Sequence, residues 1–199
     1  NLLRDERHIS EDLQERYLSI SLEKAERLED LINEFFDIAR FNLTDISLQY
    51  SKINLTRLLE QLAYEFKPML KEKNLTCNLQ IPDDLMLRCD ANKIQRAFDN
   101  LLRNAVIYSY PDTEVNVTVV RQNDDVVIKF INHGDTISKE NLERIFEQFY
   151  RLDISRSTSS GGAGLGLAIS KRIIELHHGT ITASSENDLI EFTVTLPAS

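Results

Sequence analysis

Apolar positions change their period several times along the chain, and each change marks a new element. From Leu13 through Tyr17, Ile20, Leu28, Leu31, Phe35 and Ile38 they recur at close to every seventh residue, with Lys24 interrupting the seam. Charged residues fill the intervals, and Ser10 ahead of Glu11 and Asp12 reads as an N-cap with an acidic first turn. The pattern predicts a long amphipathic helix over 11–41, which needs a partner helix or a second copy of the chain to cover its stripe. Residues 41–53 read as a polar linker. Leu55, Leu58, Leu59, Leu62, Phe66 and Leu70 then predict a second helix, capped by Asn54 or Thr56 and kinked or weakened at Pro68.

The period next falls to two. Leu75, Cys77, Leu79 and Ile81 alternate as a strand, and Leu85, Leu87 and Cys89 as a shorter one after the Pro82-Asp83-Asp84 turn. Asp90 caps a helix whose apolar face is Ile94, Ala97, Phe98, Leu101, Leu102 and Ala105. Val115, Val117 and Val119 alternate, the Asn123-Asp124-Asp125 turn follows, and Val127 to Ile131 reads as a more buried strand. Ser138 caps a short helix through Ile145. Leu165, Ile169, Ile173 and Leu176 mark a last helix ending near His178-Gly179, and two strands, Thr180–Ser184 and Ile190–Leu196, close the pattern. The interleaving predicts an α+β fold with tight Asn/Asp turns between neighbouring antiparallel strands.

Composition narrows the class. The 199 residues suffice for one sizeable core, and 42% hydrophobic with 28% charged residues suits a soluble globular protein. A net charge of −9 argues against a nucleic-acid or anionic-membrane surface. No apolar run approaches the ~18 residues of a membrane span, and no signal peptide is evident. Cys77 and Cys89 lack metal-ligand spacing and read as buried reduced thiols, with a single disulfide between adjacent strands as the lesser alternative. The opening Asn1-Leu2-Leu3-Arg4 reads as the end of a helix under way, so a piece of a longer protein is expected.

Four clusters are candidates for chemistry. Four of the chain's six glycines lie in Gly161-Gly162-Ala163-Gly164-Leu165-Gly166-Leu167, directly ahead of a helix. A glycine loop opening into a helix presents unpaired N–H groups to phosphate, although a plain flexible linker fits the same letters. It is neither a P-loop, since no Gly-Lys-Ser/Thr closes it, nor the dinucleotide fingerprint, since no strand leads into it. Asn100, Asn104 and Tyr108 share one helix face, where amide oxygens suit Mg²⁺ or phosphate, or simply a solvated surface. Asn132-His133-Gly134 ends the buried strand. Asn132 can accept from and donate to a purine edge, and Gly134 can let backbone approach a ligand, or the three form a simple turn. Phe146, Phe149 and Tyr150 sit beside Arg151, with Arg156 beyond, and either Arg can reach a polyphosphate.

Together these pieces resemble the sensor histidine kinases. Asn100-Leu-Leu-Arg-Asn104-Ala looks like their N-box, Asn132 through Ile137 their first glycine box, Ile145 to Arg151 their F-box and Gly161 to Leu167 their second glycine box, in the family's order. Leu28 to Arg40 is similar to the second hairpin helix of the VanS kinases of vancomycin resistance. The resemblance implies a Bergerat-type (GHKL) α/β sandwich with a mixed sheet and one helical layer over 54–199. Residues 1–46 would be part of a dimerisation and phosphoacceptor hairpin. By that analogy Asn100 coordinates Mg²⁺, Asn104 meets the ATP phosphates, Tyr108 lines the nucleotide site, and Asn132 and Gly134 take the adenine. Arg151 to Ala163 form a lid carrying Arg151 and Arg156, and Gly162, Gly164, Leu165 and Gly166 admit the triphosphate. It further implies a homodimer through the hairpin, a response-regulator partner, and the cytoplasmic part of a bacterial membrane protein.

Three departures stand out. Asn132 replaces the family's usual Asp. Ile107 stands where a Lys commonly meets phosphate, leaving Arg103, Arg151 or Arg156 to supply charge. None of His8, His133, His177 or His178 fits the acceptor pattern of His, an acidic residue and Thr-Pro. His177-His178 at a helix end suggests a C-terminal cap favoured by positive charge. The acceptor is expected upstream of Asn1, so this chain is expected to bind ATP without autophosphorylating. Two rivals remain: an ATP-gated interaction module or ATPase of the same fold, and a non-enzymatic helical dimerisation protein with an inert glycine loop.

Overall fold

The computed structural model describes residues 13–22, 24, 25, 28, 32, 47–152 and 164–198. Residues 13–22 are helical (α1), and Leu13, Leu18, Ile20 and Leu22 on it are all exposed. Leu31, Phe35 and Ile38 of the expected seam, and the cap at Ser10, lie outside the described residues.

The expected linker ends early, because Ser51–Asn54 is a strand (β1) paired antiparallel with β3, Met86–Cys89. Asn54 is the cap of α2 (Leu55–Glu65), its side chain accepting from the Arg57 N–H at 2.9 Å. Thr56, the alternative cap, instead donates its hydroxyl to the Pro82 carbonyl and accepts from the Leu85 N–H. The helix stops at Phe66, and α3 (Lys67–Glu72) restarts with Pro68 in its first turn, where proline's missing N–H costs nothing.

Five further strands form one mixed sheet. These are β2 (Thr76–Gln80), β4 (Glu114–Gln122), β5 (Asp125–His133), β6 (Thr180–Glu186) and β7 (Leu189–Pro197), in the order β2-β4-β5-β7-β6. The β2–β4 pair is parallel and the others antiparallel. Sequence-adjacent β2 and β3 therefore do not pair, which corrects the expectation of antiparallel neighbours there. Cys77 and Cys89 fall in different sheets and are free. Burial pushes both thiols up, that of Cys89 to about 12 with Asp90 adding to it, so neither is an available thiolate near neutral pH.

Helices α4 (Ala91–Tyr108) and α6 (Gly166–Leu176) pack on each other, α4 also on β5 and α6 on β6, with α2 beside α4 as part of one helical layer. The α4 face predicted from period, with Val106 added, is buried. It meets the inward row of β5, where the Phe98 and Phe130 rings lie 5.5 Å apart. A short helix, α5 (Lys139–Arg144), is capped by Ser138. Positive φ angles at Asn123, Asn187 and Asp188 make the tight turns before β5 and β7, as Asn and Asp tolerate best.

Asp90 ties the far ends of the layer together. Its carboxylate caps Lys93 at 3.2 Å and accepts from the Gln49 N–H at 3.0 Å, while its own N–H donates to His177 Nε2 at 3.0 Å. With Nε2 accepting, the ring proton sits on Nδ1 and is donated to the Ile173 carbonyl at 2.8 Å. His177 therefore caps α6 as a buried neutral imidazole, and not as the cation expected from its place at a helix end. Burial lowers its pKa most; the Ile173 bond and Asp90 oppose the shift, and His178 adds to it. The neutral form is favoured in the folded state, so the unfolded chain takes up the proton first as pH falls. Stability from this group is complete above about 6.5 and is lost below it, through the lowered folded pKa. Urea melts across that window should show the loss, and His177→Gln should flatten that part of the profile; an unchanged slope would contradict the neutral-cap assignment.

Candidate nucleotide site

The inward phase of β5 runs Val126, Ile128, Phe130 and then Asn132, so the row that builds the core ends in an amide. Asn132 is 1% exposed, in register with Val115 on β4 and Ile190 on β7. Its Nδ2 is buried without a hydrogen-bond partner, the one such side-chain atom among the described residues. Asn132 forms one end of a cavity of about 410 Å³. Ile137, Ile145, Ile190 and Phe192 supply apolar wall, and Phe192 is braced edge-on by Phe146 at 6.3 Å.

The opposite wall comes from α4. Turning its apolar stripe to the sheet sends Asn100, Asn104 and Tyr108 to the cavity, together with Arg103 and Ile107. Asn100 donates through Nδ2 to the Gly166 carbonyl at 3.1 Å, which fixes its amide against the first turn of α6. The Ser170 hydroxyl lies 2.9 Å from the Gly166 carbonyl and 3.1 Å from that of Ala97, locking the same turn to α4. Among the described residues no side chain caps the N-terminus of the eleven-residue α6, which leaves its first N–H groups for an anion. Arg103 is drawn partly aside by Asp99 at 3.5 Å and lies over the Phe66 ring at 5.5 Å. Burial pushes the Asp99 carboxyl up, and the Arg103 charge opposes the shift.

Gly164, Gly166 and Arg151 also line the cavity, whereas Arg156 and Gly162 lie outside the described residues. Leu165 is buried as the N-cap residue of α6 and packs in the core. Gly134 follows the end of β5 beside the end of α4. A Cβ there would lie 2.3 Å from the Tyr108 carbonyl oxygen, so glycine lets β5's end pass the end of α4 and no contact with a ligand is needed to explain it. The chain on the two sides of 153–163 is pinned where the Phe149 N–H donates to the Gly164 carbonyl at 3.0 Å. Period alone did not reveal Tyr150 and Asn141, which close the cavity's side through a 2.7 Å bond. Their aromatic and amide types were visible, but their spacing across a helix end and a turn was not.

An apolar slot ending in an amide, opposite a pair of amides at the start of a helix, sits in an α/β sandwich of the Bergerat type. Residues 89–199 match the family described as histidine kinase-, DNA gyrase B-, and HSP90-like ATPase. The match takes in more than half of the chain, and the chain belongs to that family. It is 47% identical over 98% of its length to the sensor protein VanSC of Enterococcus gallinarum, and 44% identical over 94% to the sensor protein VanS of Enterococcus faecium. These alignments take in 54% and 48% of those proteins, so the chain spans about half the length of the curated relatives it matches. The histidine kinase ThkA, solved in complex with the response regulator protein TrrA, shares the fold at a TM-score of 0.79, with 22% identity over 100% of this chain and 55% of that one.

Gly164 offers a direct check on this geometry. Its φ is +77°, and a Cβ would meet the Tyr150 carbonyl oxygen at 2.9 Å. Gly164→Ala should lower stability by about 1–2 kcal/mol in chemical denaturation, the usual left-handed penalty; an unaltered midpoint would show that the turn relaxes freely.

Proposed function

We propose that the cavity binds Mg-ATP and that the parent protein is a sensor histidine kinase of the VanS type. The observation that carries this reading is the convergence of Asn132, Asn100, Asn104 and the uncapped start of α6 on one cavity. Asn132 takes the base and Tyr108 flanks it. Asn104 donates to phosphate oxygens, Gly164 and Gly166 leave room for them, and Arg151 offsets their charge, with Gly162 and Arg156 of the lid completing the set. Ile107 carries no charge to help, which leaves more of that work to arginine and to helix N–H groups.

The metal site fits a hard ion with few protein ligands. Among the described residues no cluster of three or more His, Cys, Asp or Glu side chains exists. Asn100, with Nδ2 already committed to Gly166, has its amide oxygen as the available ligand. Mg²⁺, when bound, would be held by the Asn100 amide oxygen and would supply positive charge against that of the phosphates. The domain's own residues position the nucleotide and exclude water; none acts as a covalent nucleophile. The γ-phosphoryl passes to a His nitrogen outside this chain, with ADP leaving, and then to an Asp of a response regulator.

Residues 1–46 belong, in this reading, to the dimerisation hairpin, and 54–199 to the catalytic domain, with β1 extending its edge. Exposed Leu13, Leu18 and Ile20 on α1 support a helical partner there. Among the described residues no helix is long and apolar enough to cross a membrane, so anchoring would come from other segments of the parent.

Calorimetric titration with Mg-ADP tests the site. The wild-type chain should bind, and Asn104→Ala should weaken binding about 10–100-fold, the value of a hydrogen bond to a charged group. Absence of binding by the wild-type chain would overturn the nucleotide reading.

A further inference from the structure

The side chain of Asn132 does more than occupy an acceptor's place. A buried amide N–H₂ left without a partner costs about 1–3 kcal/mol, so an orientation that turns it to a ligand acceptor recovers that cost. Two kinds of purine edge offer that acceptor. A 6-aminopurine presents an N6–H donor beside the N1 acceptor. A 6-oxopurine presents the O6 acceptor beside an N1–H donor. A carboxylate here would only accept, pairing with the amino group and repelling O6. The amide carries one donor and one acceptor side by side, and a half-turn about its last torsion exchanges them at little cost.

We propose that Asn132 makes the base subsite ambivalent, so that 6-oxopurine nucleotides occupy it nearly as well as adenine nucleotides. No hydrogen bond from Nδ2 holds the side chain in one orientation, so the half-turn breaks none. The neighbours that share its register, Val115 and Ile190, are apolar and favour neither orientation. The base wall itself, Ile137, Ile145 and Ile190, reads shape and not hydrogen bonds. Asp135, Thr136 and Asn141 also line the cavity, but Tyr110, Asp188 and Tyr150 respectively engage them, which leaves discrimination at position 6 of the ring to Asn132. This inference rests on the nucleotide reading above and deepens it.

Inosine diphosphate is the appropriate probe, since it changes the position-6 edge without adding a 2-amino group. Titration of the chain with Mg-ADP and Mg-IDP in parallel should give dissociation constants within about tenfold of each other, a gap of no more than ~1.4 kcal/mol. Asn132→Asp should raise the IDP-to-ADP ratio by about 100-fold or more over wild type, because the carboxylate opposes O6. Wild-type binding of Mg-ADP with Mg-IDP more than about tenfold weaker would overturn the ambivalence and leave the nucleotide site standing. Binding of neither would overturn both readings. A ratio unmoved in a folded Asn132→Asp would also overturn the assignment. Should that variant fail to fold, the wild-type pair decides alone.

Discussion

Helix α4 can bury Ile94, Phe98, Leu101 and Leu102 in only one rotation about its axis, and that rotation sets most of the site's geometry. Each of these side chains is worth about 1.5–3 kcal/mol when fully buried, and none is more than 1% exposed. No surface interaction competes with that sum. With the stripe turned to β5, positions 100, 104 and 108 point along the opposite edge, and three polar side chains reach the cavity without any local device to aim them. The same logic governs β5. Its period of two buries Val126, Ile128 and Phe130, and Asn132 is carried inward by phase alone. The site's two ends are therefore set by core packing, and the site's precision is the core's rigidity.

What remains between those ends is supplied by α6. Its first turn is fixed to α4 through Asn100, Ser170 and the Gly166 carbonyl, so the helix N-terminus cannot drift from the amides it serves. At its other end the neutral His177 holds Asp90, which caps α4 and also receives the entering chain at Gln49. Helix α6 is bolted at both its ends by polar groups, to the start and the middle of α4, and joined to it between them by apolar ones. Tyr50 against the His177 ring, at 5.5 Å, extends the same knot to the chain before β1. A single buried imidazole thus connects the helical layer to the segment leading from α1.

Much of this was legible from the letters because the period and the caps agreed. Asp90 and Asn54 each precede an apolar helical stripe and Ser138 a short polar helix, and each does cap its helix. The resemblance in four boxes led to the family, since their order and spacing are more specific than any one of them. Strand β1 was missed because Ser51-Lys-Ile-Asn54 carries a single apolar residue and pairs only with a strand thirty-odd positions on, which no local pattern encodes. The parallel β2–β4 pairing was missed for a similar reason: a strand's partner is a matter of topology. His177 misled because a helix terminus favours a cation only near solvent, and burial reversed that preference.

The central claim is that one bound purine nucleotide spans from Asn132 on β5 to the first turn of α6. Amide resonances report both ends in one experiment. In a ¹⁵N-labelled chain titrated with Mg-ADP, the Asn132 side-chain Nδ2 signals and the backbone signals of Gly166 and Leu167 should move together, at a common midpoint. Those of Asn116 and of Asn78, whose Nδ2 donates to Asn116 and to Glu114 on the sheet's edge side, should stay in place. Nucleotide-induced shifts that leave the Asn132 side chain untouched, or that move it and α6 at different midpoints, would contradict a single site running between them.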